Sequence, residues 1–391
     1  MKKKILSAIL CATMVIGMLA GCGSKPAAEA DKSTTDDKKT ESTKGIAKED
    51  IKVGFVHVSD ASDMGYTYNH DLGTKEMQET IGLSDDQIVN KFNVPEGAEC
   101  DTALRELVDA GCNIIFATSF GFEDYVKEVA AEYPDIQFCH ATGYQAKDSG
   151  LDNMHNYFAS IYEARYLAGI AAGMKTESNK LGYVAAFPFA EVISGYTAFY
   201  LGAKSVNPDV TMDIMYTNSW NDPTVESQVA KALIERGCDV ISQHSDSTAP
   251  ATTAEENGAF QVGYNNDMIE AAPKASLISA RIDWGIYVTD AVQSMIDGKE
   301  IPKDWCKGLA DGAVYLSPLN TDIAAEGTQE AIDKATEALK SGELYVFAGP
   351  LKGTSPDGET IEVADGDHYP EQEEASAPSW SYIIEGCNVV E

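Results

Sequence analysis

Two aromatic and two acidic residues share one short segment, 59–68, and they include Asp63 and Tyr66. Aromatic faces beside carboxylates suit a flat small molecule with polar edges. The segment follows a strand-like apolar run and precedes a helical pattern that begins near Asn69. In open α/β sheets, ligands bind on such loops at the carboxyl ends of strands. The pattern therefore favours a binding loop, and the alternative is that its tyrosines only cap a core.

Strand-like and helix-like segments alternate from residue 51 onward, which is typical of α/β domains. The mostly apolar strand-like runs indicate parallel sheets that are covered on both faces. We predict strands at 52–58, 87–92, 113–118, 136–141, 277–282, 312–316 and 345–347. We predict helices at 69–80, 101–110, 122–132, 157–174, 284–297 and 328–341, and an acidic surface loop at 355–378.

Three short strand-like runs recur in the same order in the second half of the chain, which indicates a duplicated α/β unit. The matched pairs are 54–56 with 182–184, 111–115 with 237–241, and 137–139 with 261–263. We therefore predict two Rossmann-like lobes joined by a hinge, the architecture of a bilobal solute-binding protein. Lobe 1 is expected to span 51–160 plus part of 270–320, and lobe 2 to span 175–268 plus a C-terminal part of the 51–391 domain.

The helix predicted between the two halves carries two charged residues before its C-terminal end, Glu163 and Arg165. Small and apolar residues surround them, so we expect a tightly packed helix. We expect the two charges to serve structural salt bridges or the hinge rather than the ligand.

The N-terminus has the organisation of an export signal. A basic start at 1–4 precedes the apolar stretch 5–18, and Leu19-Ala20-Gly21-Cys22 follows. This ending resembles the bacterial lipobox, which implies a signal peptide at 1–21 and lipidation of Cys22. Residues 22–50 are then a flexible tether, since 23–48 hold almost no large apolar residues. We expect a lipid-anchored protein on the extracytoplasmic face of the cell membrane, the alternative being an ordinary secretory signal.

Charge and motif content argue against several functional classes. The formal net charge of −33 repels phosphate backbones, so nucleic acid is not expected as a partner. The eight cysteines form no CxxC pair, and the chain has no G-x-S-x-G or H-E-x-x-H motif. An extracytoplasmic nucleoside hydrolase would also need a larger Asp cluster than segment 59–68 offers. We therefore expect no enzymatic activity, no cofactor and no metal site.

Several loops follow predicted strand ends and are expected to face the cleft between the lobes. They are 59–68, 119–122, 142–144, 187–189, 244–247 and 264–267, and Trp220 ends a further strand-like stretch. Aromatic residues recur in most of these loops, which favours a ligand that stacks. The alternative is that some of these aromatics pack lobe against lobe.

The chain resembles the basic membrane protein family of substrate-binding lipoproteins, which serve ABC transporters and bind purine nucleosides or bases. The resemblance covers nearly everything from 51 to 349. It is carried by the motifs at 63–68, 117–121, 164–169, 202–208, 219–223 and 263–268. It implies a type I periplasmic-binding-protein-like fold, a purine ligand and a permease partner.

The resemblance also implies roles for individual residues. An aromatic at the position of Tyr66 stacks on the purine, and the nucleoside-binding branch has an Asp at the position of Asn265, followed by a Lys that has no clear counterpart here. An amide offers a donor and an acceptor, which match a base edge better than a ribose diol. We therefore expect a purine base such as adenine rather than a nucleoside.

In the expected complex, Tyr66 on one lobe and Trp220 or Phe187 on the other sandwich the ring. Polar and aromatic residues then complete the expected contacts: Asp63, Asp246 and Asn265 read the ring edges, beside Phe120, His244 and Trp284. Two alternative functions stay open. One is a ligand-sensing lipoprotein that signals to a membrane partner, and the other is a carrier of a different solute such as a sugar.

Overall fold

The computed structural model describes residues 45–391, so the predicted signal peptide, Cys22 and most of the predicted tether lie outside the described residues. The described end of that tether is packed on the domain, contrary to expectation. The backbone N–H of Ile46 donates to the carbonyl oxygen of Met295 at 3.0 Å, and Lys48–Asp50 forms a 3₁₀-helix. The reason is that Ile46 contributes apolar surface to the core.

Lobe 1 contains a parallel sheet of six strands in the order β2-β1-β3-β4-β5-β11. Its strands are β1 Val53–Val56, β2 Ile88–Lys91, β3 Ile114–Ala117, β4 Gln137–Ala141, β5 Met154–Ala159 and β11 Asp304–Lys307. Strands β1, β3, β4 and β5 are buried along nearly their whole length, as expected for a sheet covered on both faces.

Lobe 2 repeats this order with a seven-stranded sheet, β16-β7-β6-β8-β9-β10-β12. Its strands are β6 Lys180–Ala185, β7 Thr211–Tyr216, β8 Val240–Gln243, β9 Phe260–Tyr264, β10 Ser276–Ile282, β12 Val314–Leu316 and β16 Cys387–Val389. Only β12 runs antiparallel to its neighbour. The three repeated sequence runs fall at or beside β1 and β6, β3 and β8, and β4 and β9, which hold equivalent places in the two sheets.

Helices cover both faces of each sheet. They are α1 Tyr66–Ile81, α2 Ala98–Asp109, α3 Glu123–Glu132, α4 Ile161–Lys175, α5 Ala190–Val206, α6 Pro223–Glu235, α7 Ala249–Glu256, α8 Trp284–Asp297 and α9 Thr328–Ser341. In lobe 1, α1 packs against α8, and α2 against α3; in lobe 2, α4 packs against α5, and α6 against α7. This arrangement confirms the predicted bilobal α/β fold.

Within residues 45–391, the chain passes between the two sheets after β5, after β10 and after β11. Strand β10 therefore belongs to lobe 2, whereas α8 and β11 belong to lobe 1. The expected boundary of lobe 2 at 268 moves to the end of β10 at Ile282 because β10 pairs with β9. None of the described helices is long and apolar enough to cross a membrane.

Three local predictions were wrong. The predicted helix 157–174 begins as strand β5, and α4 starts only at Ile161, because a short apolar run does not distinguish a strand from a buried helix. The predicted strand 345–347 is a turn. The acidic segment 355–378 contains strand β14 Thr360–Val363 and several buried polar residues, including Glu371 and Ser376.

The C-terminal part of the chain adds a small antiparallel sheet in the order β14-β13-β15. Its other strands are β13 Leu351–Thr354 and β15 Ile383–Ile384. Beside it, the Glu371 carboxylate accepts hydrogen bonds from Ser194 on α5 and from the backbone N–H of Trp380. Glu371 is buried because it satisfies these donors, which explains why an acidic segment is not wholly at the surface.

Candidate ligand-binding site

A small cavity lies between the lobes, at the carboxyl ends of strands from both sheets. This is the position that open α/β sheets use for ligands. Residues of both lobes line it: Val58, Tyr66, Ser119, Phe120, Thr142, Glu191, Trp220, His244, Asp246 and Tyr264. Five predicted site residues are among them, namely Tyr66, Phe120, Trp220, His244 and Asp246. The four others, Asp63, Phe187, Asn265 and Trp284, are not part of this lining.

Asp63 holds the start of helix α1 in place. Its carboxylate accepts hydrogen bonds from the backbone N–H groups of Gly65, Thr67 and Tyr68 at 2.9 to 3.0 Å. Burial raises the pKa of this carboxyl, and the hydrogen bonds oppose the rise. The helix N-terminus also favours a negative charge at this place. Asp63 therefore positions Tyr66, the first residue of α1.

The ring of Tyr66 rests on a buried aromatic pair. His70 and Trp284 stack on each other with ring centroids 4.1 Å apart. Both rings meet Tyr66 at steep angles, at centroid distances of 4.6 and 6.0 Å. Trp284 is only 1% exposed, so it supports Tyr66 from behind.

On the lobe 2 side, aromatic rings surround Trp220. The ring of Phe187 meets it edge to face at 5.0 Å and stacks on Phe189 at 5.2 Å. Phe189 in turn faces Phe120 of lobe 1 at 5.1 Å. Phe187 thus supports Trp220 from outside the cavity lining, while Phe120 and Phe189 pack lobe against lobe.

Two carboxyl groups line the cavity. Burial, together with the nearby charges of Asp63, Glu226, Glu191 and Glu96, raises the pKa of Asp246 well above its usual range. Burial also raises the pKa of Glu191 to about 7. A protonated carboxyl group both donates and accepts hydrogen bonds, so these two groups can pair with ring nitrogens of a ligand.

Sequence reasoning missed Glu191. It is the second residue of α5, directly after the loop 187–189 that was predicted to face the cleft. The available signal was therefore its place at the start of a helix behind a cleft loop. Tyr264, Ser119 and Thr142 also line the cavity, and all three lie in loops predicted to face the cleft.

Arg165 contacts residues of the cavity wall from helix α4, although it was expected to serve only structure or the hinge. Its Nη1 donates to the carbonyl oxygen of Gln243 at 2.7 Å, and its Nη2 lies 3.1 Å from Nδ1 of His244. The guanidinium also lies 3.6 Å from the ring centroid of Tyr264. Arg165 therefore orients two cavity side chains through Nη1, Nη2 and its planar face, while its buried Nε has no hydrogen-bond partner among the described residues.

His244 is neutral in this setting. Burial and the charge of Arg165 lower its pKa well below the usual value. Its Nε2 lies 3.4 Å from Oε1 of Glu191. The cavity lining thus combines two carboxyl groups of raised pKa with one imidazole of lowered pKa.

Several buried polar atoms near the cavity have no hydrogen-bond partner within the described protein. They include both side-chain atoms of Asn265 and the hydroxyls of Tyr264 and Thr67. Asn265 is completely buried and takes a left-handed backbone conformation with φ 64°. Buried polar groups are normally paired, so these atoms suit hydrogen bonds to a bound molecule. Among residues 45–391, no group of three or more His, Cys, Asp or Glu side chains could hold a metal ion.

A family profile and two similar proteins describe this chain as similar to solute-binding proteins. A profile described as "ABC transporter substrate-binding protein PnrA-like" matches residues 50–345. The chain is 38% identical over 308 residues to a purine-binding protein of Brucella abortus, covering 78% of this chain and 85% of that protein. It is 34% identical over 318 residues to a putative ABC transporter glucose-binding protein of Haloferax volcanii, covering 81% and 79% of the two chains.

Among solved structures, an ABC transporter solute-binding protein of Aeropyrum pernix superposes with a TM-score of 0.64 at 18% identity. It covers 79% of this chain and 94% of the other. This likeness confirms the predicted type I binding-protein fold. The profile match and the two relatives then establish the family, whose members bind a solute rather than transform it. The chain belongs to the Bmp family of PnrA-like substrate-binding proteins of ABC transporters.

Proposed function

We propose that this substrate-binding protein takes up a purine base, such as adenine, between its lobes and delivers it to the permease of an ABC importer. The observation that carries the proposal is that aromatic rings and buried carboxyl groups line the same cavity. Tyr66 and Phe120 come from lobe 1, Trp220 from lobe 2, and Asp246 and Glu191 offer oxygen acceptors. A flat heterocycle with N–H donors matches this combination.

The energetics support such a ligand. Each aromatic face that stacks on a base contributes roughly 1–3 kcal/mol. The unpartnered hydroxyl of Tyr264 lies in the cavity lining, and the unpartnered side chain of Asn265, the next residue, is the further donor and acceptor that we propose for the ring edge. A ligand that leaves one buried polar group unpaired loses about 1–3 kcal/mol, so the polar groups set selectivity.

The similarity to a purine-binding relative supports the ligand class. Within that class, we propose a free base over a nucleoside. By the family resemblance, the nucleoside-binding branch has an Asp that holds the ribose hydroxyls at the position where this chain has Asn265. Arg281 donates to the backbone oxygen of Asn265 at 3.1 Å, so this loop is held from behind.

A sugar is the second candidate, since a relative at 34% identity is named as a putative glucose-binding protein. Sugar sites also use aromatic faces, but they usually add several charged side chains that grip hydroxyl groups. This cavity offers two carboxyl groups and, in its lining, no lysine or arginine.

Calorimetric titration with adenine, adenosine and glucose tests the proposal. The purified protein is first unfolded and refolded, which removes any ligand carried through purification. We expect tight binding of adenine and much weaker binding of adenosine and glucose. Tight binding of adenosine alone would contradict the choice of a base, and heat only with glucose would contradict the purine class.

We further propose that the protein is anchored through a lipidated Cys22 on the extracytoplasmic face of the cell membrane. Two acyl chains are sufficient for stable anchoring. In cells fed labelled palmitate, the wild-type protein is expected to carry label and to enter the detergent phase. Cys22→Ala is expected to lose both properties, and label on that variant would contradict the site.

The sensing alternative predicts association with a signalling protein instead of a permease, which cross-linking in membranes can distinguish.

A further inference from the structure

Glu96 links the two lobes through its carboxylate. It lies between β2 and α2 in lobe 1, and it was not among the predicted site residues. Its Oε2 accepts a hydrogen bond from the indole Nε1 of Trp220 in lobe 2, at 3.2 Å. Its Oε1 accepts from the hydroxyl of Ser119 at 2.6 Å and from the backbone N–H of Gly121 at 2.8 Å.

The lobe 1 partners hold this carboxylate independently of lobe 2. Ser119 and Gly121 flank Phe120, which lines the cavity. A Cβ atom built on Gly121 would come within 2.8 Å of Cδ of Glu96, so the glutamate is packed against this turn. The acceptor for Trp220 is therefore already in place on lobe 1.

Trp220 has one polar atom, the indole N–H, which only donates. Its hydrogen bond to Glu96 fixes the rotation of the ring, while Phe187 contacts the ring edge to face. The orientation of this ring decides whether its face meets a ligand in the cavity.

Apolar packing does not explain Glu96. The residue is exposed and belongs to no apolar cluster of the described chain. Its charge even disfavours the ionised form of Asp246, whose pKa it helps to raise. One carboxylate oxygen, Oε1, holds the 119–121 turn within lobe 1, and the other, Oε2, is explained by what it binds across the cleft.

We propose that Glu96 is a positioning residue, which orients Trp220 for stacking and holds the lobes closed over the ligand. The stacking part rests on the proposed function, since it takes the ligand to be a purine base. The lobes also meet through Asn221, whose Nδ2 lies 3.3 Å from the hydroxyl oxygen of Ser59, but that contact involves no charged group.

Stopped-flow measurement of adenine dissociation tests the proposal. Glu96→Ala is expected to speed dissociation about fivefold to tenfold, the range for a partly exposed hydrogen bond to a charged acceptor. Trp220→Phe removes the indole donor. In the double variant, Glu96→Ala with Trp220→Phe, adenine is expected to dissociate at about the rate of the faster of the two single variants, because both changes remove the same hydrogen bond. The melting temperature of the ligand-free protein is expected to fall only slightly in Glu96→Ala, because the two lobe 1 hydrogen bonds that are also lost belong to an exposed side chain. Glu99→Ala, an exposed glutamate one residue into α2, is the matched control and is expected to behave as wild type.

A ligand-free measurement separates this proposal from the choice of ligand. In protein labelled with ¹⁵N-tryptophan, the indole N–H signal of Trp220 is the one that disappears in Trp220→Phe. This signal is expected to shift in Glu96→Ala in the absence of adenine. If adenine does not bind wild type at all, the purine proposal fails, and this signal alone decides whether Glu96 holds Trp220. In protein that binds adenine, an unchanged dissociation rate in Glu96→Ala would overturn the proposal. Fully additive effects of the two single variants would overturn it as well.

Discussion

Gly65 of lobe 1 lies directly against the backbone carbonyl oxygen of Asp246 in lobe 2, and a Cβ atom on Gly65 would overlap that oxygen. The two residues border the cavity, since Tyr66 follows Gly65 and Asp246 itself lines it. Glycine is therefore the residue that allows the lobes to approach this closely. The same approach brings Tyr66 and Asp246 into the lining of one cavity.

Gly65→Ala is expected to keep the lobes apart and to weaken adenine binding about tenfold or more, because separation removes one of the two stacking faces. The melting temperature of the ligand-free protein is expected to change little, since no core side chain is altered. Titration calorimetry and thermal unfolding measure the two effects. Met64→Ala, which changes an exposed neighbour in the same loop, is the control. Unchanged affinity in Gly65→Ala would mean that the bound lobes do not meet at this point.

Tyr66→Ala is expected to weaken adenine binding about tenfold or more, because one stacking face is worth roughly 1–3 kcal/mol. Tyr66→Phe keeps the ring and its contacts with His70 and Trp284, so its affinity is expected to stay near that of wild type. The same calorimetric titration gives both values. If Tyr66→Ala bound adenine as wild type does, Tyr66 would not belong to the site.

Glu191 is expected to make the ligand-free protein less stable as pH rises. Burial raises its pKa from 4.5 to about 7 in the folded state, so the folded protein binds more protons than the unfolded chain between these values. The free energy of unfolding therefore falls as pH rises through this window. Glu191→Gln removes the group and is expected to reduce that fall by on the order of 1–3 kcal/mol.

Urea unfolding of both proteins at pH 4.5, 6 and 8 measures this difference. Asp246 and Glu226 also have raised pKa values, so the variant keeps part of the pH dependence. Parallel curves for wild type and Glu191→Gln would show that Glu191 does not titrate in this range.

Asn265→Asp is expected to shift preference from adenine towards adenosine, because a carboxylate accepts hydrogen bonds from both hydroxyls of a ribose. We expect the ratio of the two affinities to change about tenfold, the scale of one hydrogen bond to a charged group. Competition titrations give this ratio directly. Asn266→Asp changes the neighbouring amide, which bonds to the backbone N–H of Asp267, and is expected to leave the ratio unchanged. If both variants behaved alike, general charge rather than Asn265 would set the preference.

The sequence alone determined the repeated α/β plan and identified loops that line the cavity between the lobes. Short, nearly continuous apolar runs identified β1, β3, β4 and their equivalents, because a parallel strand that is covered on both faces must be apolar on both faces. The predicted helices 284–297 and 328–341 match α8 and α9 at both ends. Each ends at a glycine with positive φ, Gly298 or Gly342, which is a local signal that the sequence displays.

Tertiary structure decided which side chains of these loops meet. Glu96 and Trp220 are 124 positions apart, and Arg165 and His244 are 79 apart, so no local pattern links them. In the folded chain Trp284 packs behind Tyr66 instead of lining the cavity, and the Asp63 carboxylate accepts hydrogen bonds from the backbone of α1. Both positions follow from tertiary packing, because buried polar groups need hydrogen-bond partners. Residue type and loop position identify candidates, whereas the contact between two lobes depends on the whole fold.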